Sequence, residues 1–368
     1  MDTRRMRVLS ADGPGRRAPL ASTDVQVGAA VAIRHGRAPQ GARAASGRTR
    51  TMQFHSLAAA TLLAAASTGS LACSTCGCTL DADWASQGVT TRTGWTADLR
   101  YDFFNQNDLR RGLHRVDRAS LELPNEEEIQ GETVNRNATL TLDWGITPDV
   151  GVTFQLPWHE RRHTTIAEGD TALSSARSDS LGDARVLARW TGLSVAQDWG
   201  LQFGLKLPTG DSHGVDFDAG PQQGEPLDRG LQPGTGSTDL LLGAFRFGAL
   251  NPQADWFGQA LLQVAIAHER AFRPGNALNL SAGLRYRGFG AVVPQVQVNA
   301  RLEKRESGAE ADQANSGATL VYLSPGLAWS ATPRTSLYLF GQLPAYQRVN
   351  GLQLEPKWSA SAGVHVAF

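Results

Sequence analysis

The strongest constraint on this chain is a two-residue period that recurs in runs of about ten residues. In GWTADLRYDFF, beginning at Gly94, residues Trp95, Ala97, Leu99, Tyr101 and Phe103 share one face. Thr96, Asp98, Arg100 and Asp102 share the other. Side chains alternate across a strand, so such a run reads as a strand with one apolar and one polar face. The pattern returns in Ala138, Leu140, Leu142 and Trp144 against Thr139, Thr141 and Asp143. It returns again in Trp199, Leu201, Phe203 and Leu205 against Gln202 and Lys206, and in Leu278, Leu280, Leu284 and Tyr286 against Arg285 and Arg287.

Twelve strands are expected, near 94–104, 133–145, 149–161, 181–191, 199–209, 237–248, 256–268, 277–288, 291–303, 318–330, 335–346 and 357–368. In 237–248 and 335–346 the two faces are less distinct and their phase is not readable. Pro294 and Pro325 fall inside strands, where a missing N–H predicts bulges or strand ends. Short and long connections alternate, with the long ones near 105–132, 162–180, 210–236 and 304–317. An even strand number with short turns on one rim and long loops on the other is the layout of an outer-membrane barrel. The expected fold is all-β: a single transmembrane antiparallel up-and-down barrel of about twelve strands, residues 94–368. Both termini then face the periplasm.

Tryptophan placement agrees. Trp95, Trp144, Trp190, Trp199, Trp256 and Trp329 fall at the short-turn rim, and Trp158 and Trp358 at the long-loop rim. An indole has an apolar body and one N–H, so it settles where hydrocarbon meets water. The last strand, KWSASAGVHVAF, alternates up to a terminal aromatic, Phe368. That ending resembles the signal by which outer-membrane barrels engage their assembly machinery, and outer-membrane lipid becomes the expected surrounding partner.

The first 51 residues hold ten Arg, three Asp and no Lys or Glu, without hydrophobic period. They read as a disordered leader or as sequence upstream of a true start at Met52. Residues 52–72, MQFHSLAAATLLAAASTGSLA, carry a short apolar run and end in small residues, the pattern of a cleaved signal peptide. No later apolar run reaches the roughly 18 residues of a transmembrane helix.

Residues 73–93 lie between signal and barrel and fit either a periplasmic tail or a lumenal plug. They hold all three cysteines, Cys73, Cys76 and Cys78. C-x-x-C-x-C spacing suits a soft metal, copper or zinc, and an oxidising compartment equally suits a disulfide. Cys73 is also placed for a lipid anchor. Apart from that metal, no cofactor is expected. Nothing in the chain combines a basic stripe with interleaved aromatics, so no nucleic-acid partner is expected.

The polar faces would line a lumen with charges of both signs: Asp98, Arg100, Asp102, Asp143, Arg185, Arg189, Lys206, Arg285, Arg287, Arg301 and Glu303. His159-Glu160-Arg161-Arg162-His163 matches a zinc-protease motif, H-E-x-x-H, which needs a helix. On a strand, residues four apart stand roughly 13 Å from each other. The motif therefore reads as the end of the third strand, with no catalytic residues assigned. Twelve-stranded phospholipases need a lipid-facing Ser–His pair, whereas His163 and His213 fall in expected loops.

GLQFGLKLPTGDS (residues 200–212) and GTGSTDLLLGA (residues 234–244) resemble an outer-membrane family named for the meta-pathway of phenol degradation. CSTCGCTLDADWASQG resembles a subset of bacterial barrels. The resemblance implies a transporter-like role, the passage of small molecules across the outer membrane. A hydrophobic or aromatic compound is among the expected solutes, and no enzyme activity is expected. The alternative is a barrel whose Cys-rich start docks a partner or handles a metal.

Overall fold

In the computed structural model, which describes Leu80 and residues 82–89, 93–269 and 271–368, the alternating runs become paired strands. They are β1 (Gly94–Arg111), β2 (His114–Arg115), β3 (Ile129–Gly145), β4 (Val150–Ile166), β5 (Ser174–Leu181), β6 (Arg185–Trp190) and β7 (Trp199–Lys206). There follow β8 (Thr238–Asn251), β9 (Ala254–Ala267), β10 (Ala277–Tyr286), β11 (Val292–Glu303), β12 (Ala318–Ser330), β13 (Thr335–Val349) and β14 (Leu352–Ala367). Neighbours pair antiparallel, and β14 returns to β1 with Tyr101 opposite Ala362. The strand β2 only extends the tip of β1, and β5 and β6 are two halves of one stave along β4. The wall is a closed antiparallel barrel of twelve staves, paired all the way round at the level of β6 and β7, while the outer half-stave β5 has a ladder with β4 only.

Large apolar side chains stand exposed around the outer wall, among them Leu99, Leu140, Phe203, Leu284 and Leu339. A continuous belt of this kind belongs against hydrocarbon, not water. Trp95 and Trp144 stack at 5.3 Å, and Phe103 lies 5.6 Å from Trp358. Trp190 sits opposite Val150, and Trp158 lies eight residues further along β4. At about 3.3 Å per residue and a tilt near 40°, the belt is roughly 20 Å tall there. Trp199, Trp329 and Trp358 are likewise exposed on the outer wall, and Trp256 is half-buried. Phe368 is exposed at the turn rim, its N–H donating to the Trp95 carbonyl at 2.9 Å.

Several strands run further than alternation indicates. β1 continues from 104 to Arg111, β3 begins at Ile129, and β4 continues from 161 to Ile166. Above the belt the outer face no longer meets hydrocarbon, and the extensions bury an apolar cluster of their own, Leu109, Ile129, Leu352 and Leu354, so backbone pairing persists after the two-residue period has ended. Much of the expected loops 105–132 and 162–180 is therefore wall. His163, expected in a loop, is a buried, inward-facing residue of β4, its Nδ1 2.8 Å from Thr133 Oγ1.

The prolines behave differently from expectation. The β11–β12 ladder passes both in unbroken register, Pro294 opposite Leu327 and Pro325 opposite Val296. The absent donors show on the other side of each strand: the β10–β11 ladder stops at Gln295, and the β12–β13 ladder skips Ser324 and Pro325. A strand residue's N–H points to one neighbour only, so one proline disturbs one ladder. The register shift in β12 comes instead between Val321 and Tyr322, where Tyr322 pairs with Pro344.

One interruption matters for the interior. Below Trp158–Leu181, two residues of β4, Leu156 and Pro157, face three residues, Gly182, Asp183 and Ala184, before pairing resumes at Gln155–Arg185. This bulge, at a proline that cannot donate, turns the Asp183 carboxylate into the barrel.

Candidate lumenal site

The lumen is not packed solid. A cavity of about 370 Å³ lies between two inserts, one near each end. Its boundary includes Leu80, Ala82 and Asp83 from the N-terminal segment and Gly230, Gln232, Pro233 and Thr235 from the loop between β7 and β8.

The N-terminal segment is held from many sides. Trp84 donates its indole N–H to Asp98 Oδ2 at 3.0 Å, and Tyr338 donates its hydroxyl to Asp98 Oδ1 at 2.8 Å. The Trp84 and Tyr338 rings meet edge-on at 4.8 Å. Ser86 donates to Gln259 Oε1 at 2.6 Å, Gln202 donates to the Asp83 carboxylate, and Arg285 donates to the Gln87 carbonyl at 2.6 Å. Gly88 (φ 76°) lies so close to Phe247 that a Cβ would stand 2.4 Å from the ring. Staves β1, β7, β8, β9, β10 and β13 all take part.

These contacts account for the two strands of unreadable phase. On β13 the inward residues include Tyr338 and Phe340, which form one buried cluster with Leu80 and Trp84. On β8 the inward residues include Leu241 and Phe245. An inward face covered by another piece of chain can be apolar, so the period-two contrast is lost.

At mid-height the charges pair. Arg100 meets Asp102 at 2.8 Å, and Ser361 donates to the same carboxylate. Arg301 meets Glu303 at 2.8 Å and donates to Asn279 at 3.0 Å. Near the turn rim Arg189 grips Asp143 with two hydrogen bonds, 2.9 and 3.2 Å, joined by Thr153 at 3.1 Å. Arg285 pairs with Asp255. Arg287 lies just past β10, half-exposed at the rim, 3.1 Å from Asp255.

Lys206 is the hub of a buried network: Asp183 at 2.9 Å, Asp239 at 3.3 Å, Ser237 at 3.1 Å and the Thr235 hydroxyl. Asp183 also accepts from the Thr235 N–H at 3.0 Å and the Gly210 N–H at 3.2 Å. Here the two motif segments, 200–212 and 234–244, meet the wall bulge. A Cβ on Gly210 would lie 2.8 Å from Gly234 and 2.9 Å from Gly182, so three backbones approach where only glycine fits. Sequence reasoning found Lys206 by its strand phase and missed Asp183, Thr235, Ser237 and Asp239. The glycines of GTGSTD were the available signal, because close backbone approach needs them.

The outer insert is tied across the mouth. Arg161 donates to Asn135 Oδ1 at 2.8 Å and to the Leu231 carbonyl. Leu231 packs with Ala176, Phe217 and Leu227. Arg229 reaches Glu269 at 2.7 Å and Glu310 at 3.2 Å, and also His213. Three outer loops converge on that guanidinium. Burial pushes the Glu269 carboxyl up, but hydrogen bonds from Arg229 and Ser212 hold it below the usual range.

His159 and His163 both lie on the inward face of β4 without converging: His159 bonds Asn137 at 2.9 Å and His163 bonds Thr133. Among the described residues no group of three His, Cys, Asp or Glu is arranged for a metal. Cys73, Cys76 and Cys78, with residues 1–72, lie outside the described residues.

The sequence matches no family model and no curated protein. In structure the chain is similar to an outer-membrane channel of Pseudomonas putida F1, with TM-score 0.50 and 14% identity, covering 75% of this chain and 96% of that one. It is more distantly similar to the β domain of the Bordetella autotransporter BrkA, with TM-score 0.45 and 13% identity over 75% and 100%. The Ralstonia pickettii toluene transporter TbuX gives TM-score 0.38 and 10% identity over 75% and 90%. At such identities the likeness is one of fold.

Proposed function

We propose that this protein is an outer-membrane channel that passes a small solute through a lumen narrowed near each end by its own chain. The observation that carries this reading is the cavity between the inserts. Two segments border this cavity from opposite ends, attached largely by hydrogen bonds and ion pairs, which can be exchanged for water. A barrel serving only as a scaffold has no need of an interior void lined by charge.

The lining mixes charged groups with apolar ones, Phe104, Leu187, Leu261 and Phe272. Such a surface suits a solute with an apolar body and a polar head, in keeping with a hydrophobic or aromatic compound. The two motifs behind that resemblance build one network around Lys206, which supports giving them a shared role at the outer insert. The Trp rows and the exposed Phe368 support lipid embedding and recognition by the assembly machinery, and the start of β1 and the end of β14, both at the turn rim, support a periplasmic turn side.

The test is reconstitution. The purified protein in planar bilayers should show conductance steps, rising when residues 80–89 are deleted. No conductance and no solute flux into liposomes, for either form, would sink the reading.

A further inference from the structure

Among the described residues, one lumenal cation is left over. Arg185 points inward from β6, directly opposite Gln155 of β4 and Lys206 of β7. Two cations face to face across a ladder repel, so each needs an anion. Lys206 has two, Asp183 and Asp239. Those carboxylates are already occupied: Asp183 also by Thr235 and Gly210, Asp239 also by Ser237 and Gln263. The other nearby cations, Arg100 and Arg301, hold Asp102 and Glu303. Arg185 makes no ion pair and no side-chain hydrogen bond with any described residue, and its side chain borders the cavity.

A guanidinium presents five donors in a planar fork that matches a carboxylate with two parallel hydrogen bonds. An unpaired cation in a confined lumen is costly, and an anion from solution removes that cost. The neighbours select the anion's other end. Leu187 lies two residues along the same inward face of β6, and Leu261 and Phe104 border the same cavity. The volume falls at the lower end of the range of small-molecule sites, about 300–1,000 Å³.

We propose that Arg185 is a binding station for a small monocarboxylate with an apolar body, the carboxylate on the guanidinium and the body toward Leu187 and Leu261. This names the solute class for the channel reading and rests on it.

The experiment is titration calorimetry on the full chain, folded in detergent, with benzoate, its neutral analogue benzamide, and inorganic phosphate. Benzoate should bind about tenfold or more tighter than benzamide, because charge-assisted hydrogen bonds are the strong ones. Arg185→Gln should bring benzoate down to the level of benzamide. Arg185→Lys, which keeps the charge but not the fork, should fall between them and serves if Arg185→Gln fails to fold. Equal binding of benzoate and benzamide, undiminished benzoate binding in both variants, or phosphate binding tighter than benzoate would each overturn the proposal. Benzoate flux into liposomes is measured separately. Binding without flux rejects the channel and keeps the site. Flux without preference for benzoate over benzamide keeps the channel and rejects the site.

Discussion

Trp84 and Asp98 meet inside the barrel at 3.0 Å, an indole N–H on a carboxylate whose other oxygen is held by Tyr338. Both residues are buried. The bond joins a residue outside the strands to the fifth residue of β1, Gly94 being the first. It therefore anchors the chain that leads into the barrel against the barrel itself.

Trp84→Ala should release that anchor. Truncating a buried tryptophan costs about 3–5 kcal/mol. The barrel ladders do not depend on it, so the protein should still fold and show heat-modifiable migration on gels. Bilayer recordings should show larger or more frequent openings than wild type. Unchanged conductance with an intact barrel would mean that Trp84 does not hold a closure.

Lys206→Met should destabilise more than any substitution on the outer wall. It leaves Asp183 and Asp239 buried without their cation, a loss of about 3–5 kcal/mol. The thermal midpoint in detergent should fall, and adding Asp183→Asn should recover part of the loss. A double variant no more stable than the single one would show that the network does not act through charge.

Arg229→Gln should loosen the outer mouth. Three loops share that guanidinium through Glu269, Glu310 and His213. Proteinase K added outside protein-bearing liposomes should nick residues 207–237 several-fold faster than in wild type. Equal cleavage rates would mean that packing around Leu231, not the ion pairs, holds the loop.

Asp312 makes the outer loop 304–317 sensitive to pH. Burial pushes its carboxyl up to about 6, despite hydrogen bonds from the Asn315 and Ala314 N–H groups; the Glu128 charge adds to the rise. The folded loop then binds the proton more readily than an unfolded chain, whose pKa is near 3.8. Stability contributed by that proton is fully present below 3.8 and is lost as pH rises through about 6. Amide exchange in 304–317, corrected for intrinsic rate, should be slower at pH 5 than at pH 7. Asp312→Asn should flatten the difference, and a wild-type loop indifferent to pH would refute the assignment.

Removing Phe368 should lower the amount of barrel in outer-membrane fractions while the purified protein, refolded in detergent, keeps its thermal midpoint. Its ring is exposed and supports no core, so a large drop in that midpoint would argue for a structural role instead.

Alternation alone determined the barrel of this protein. A lipid-facing wall must be apolar on one side, and a wet lumen lets the other be polar, so Leu99 beside Arg100 or Leu284 beside Arg285 declares a strand and its phase. The same rule located the Trp rows and most of the inward charges. It lost the phase of β8 and β13 because Tyr338, Phe340, Leu241 and Phe245 face inward yet are buried. Whether a lumenal face is wet depends on which distant segment covers it, and residues 80–89 lie far from both strands in the chain. The outer extensions of β1, β3 and β4 were hidden for the converse reason: away from hydrocarbon, pairing no longer writes itself into side-chain polarity. The Lys206 network and the solitary Arg185 belong wholly to the tertiary structure. They arise where a bulge at Pro157 turns Asp183 inward and a glycine-lined crossing brings Thr235 to meet it, so that one of two facing cations takes both carboxylates and leaves the other unpaired.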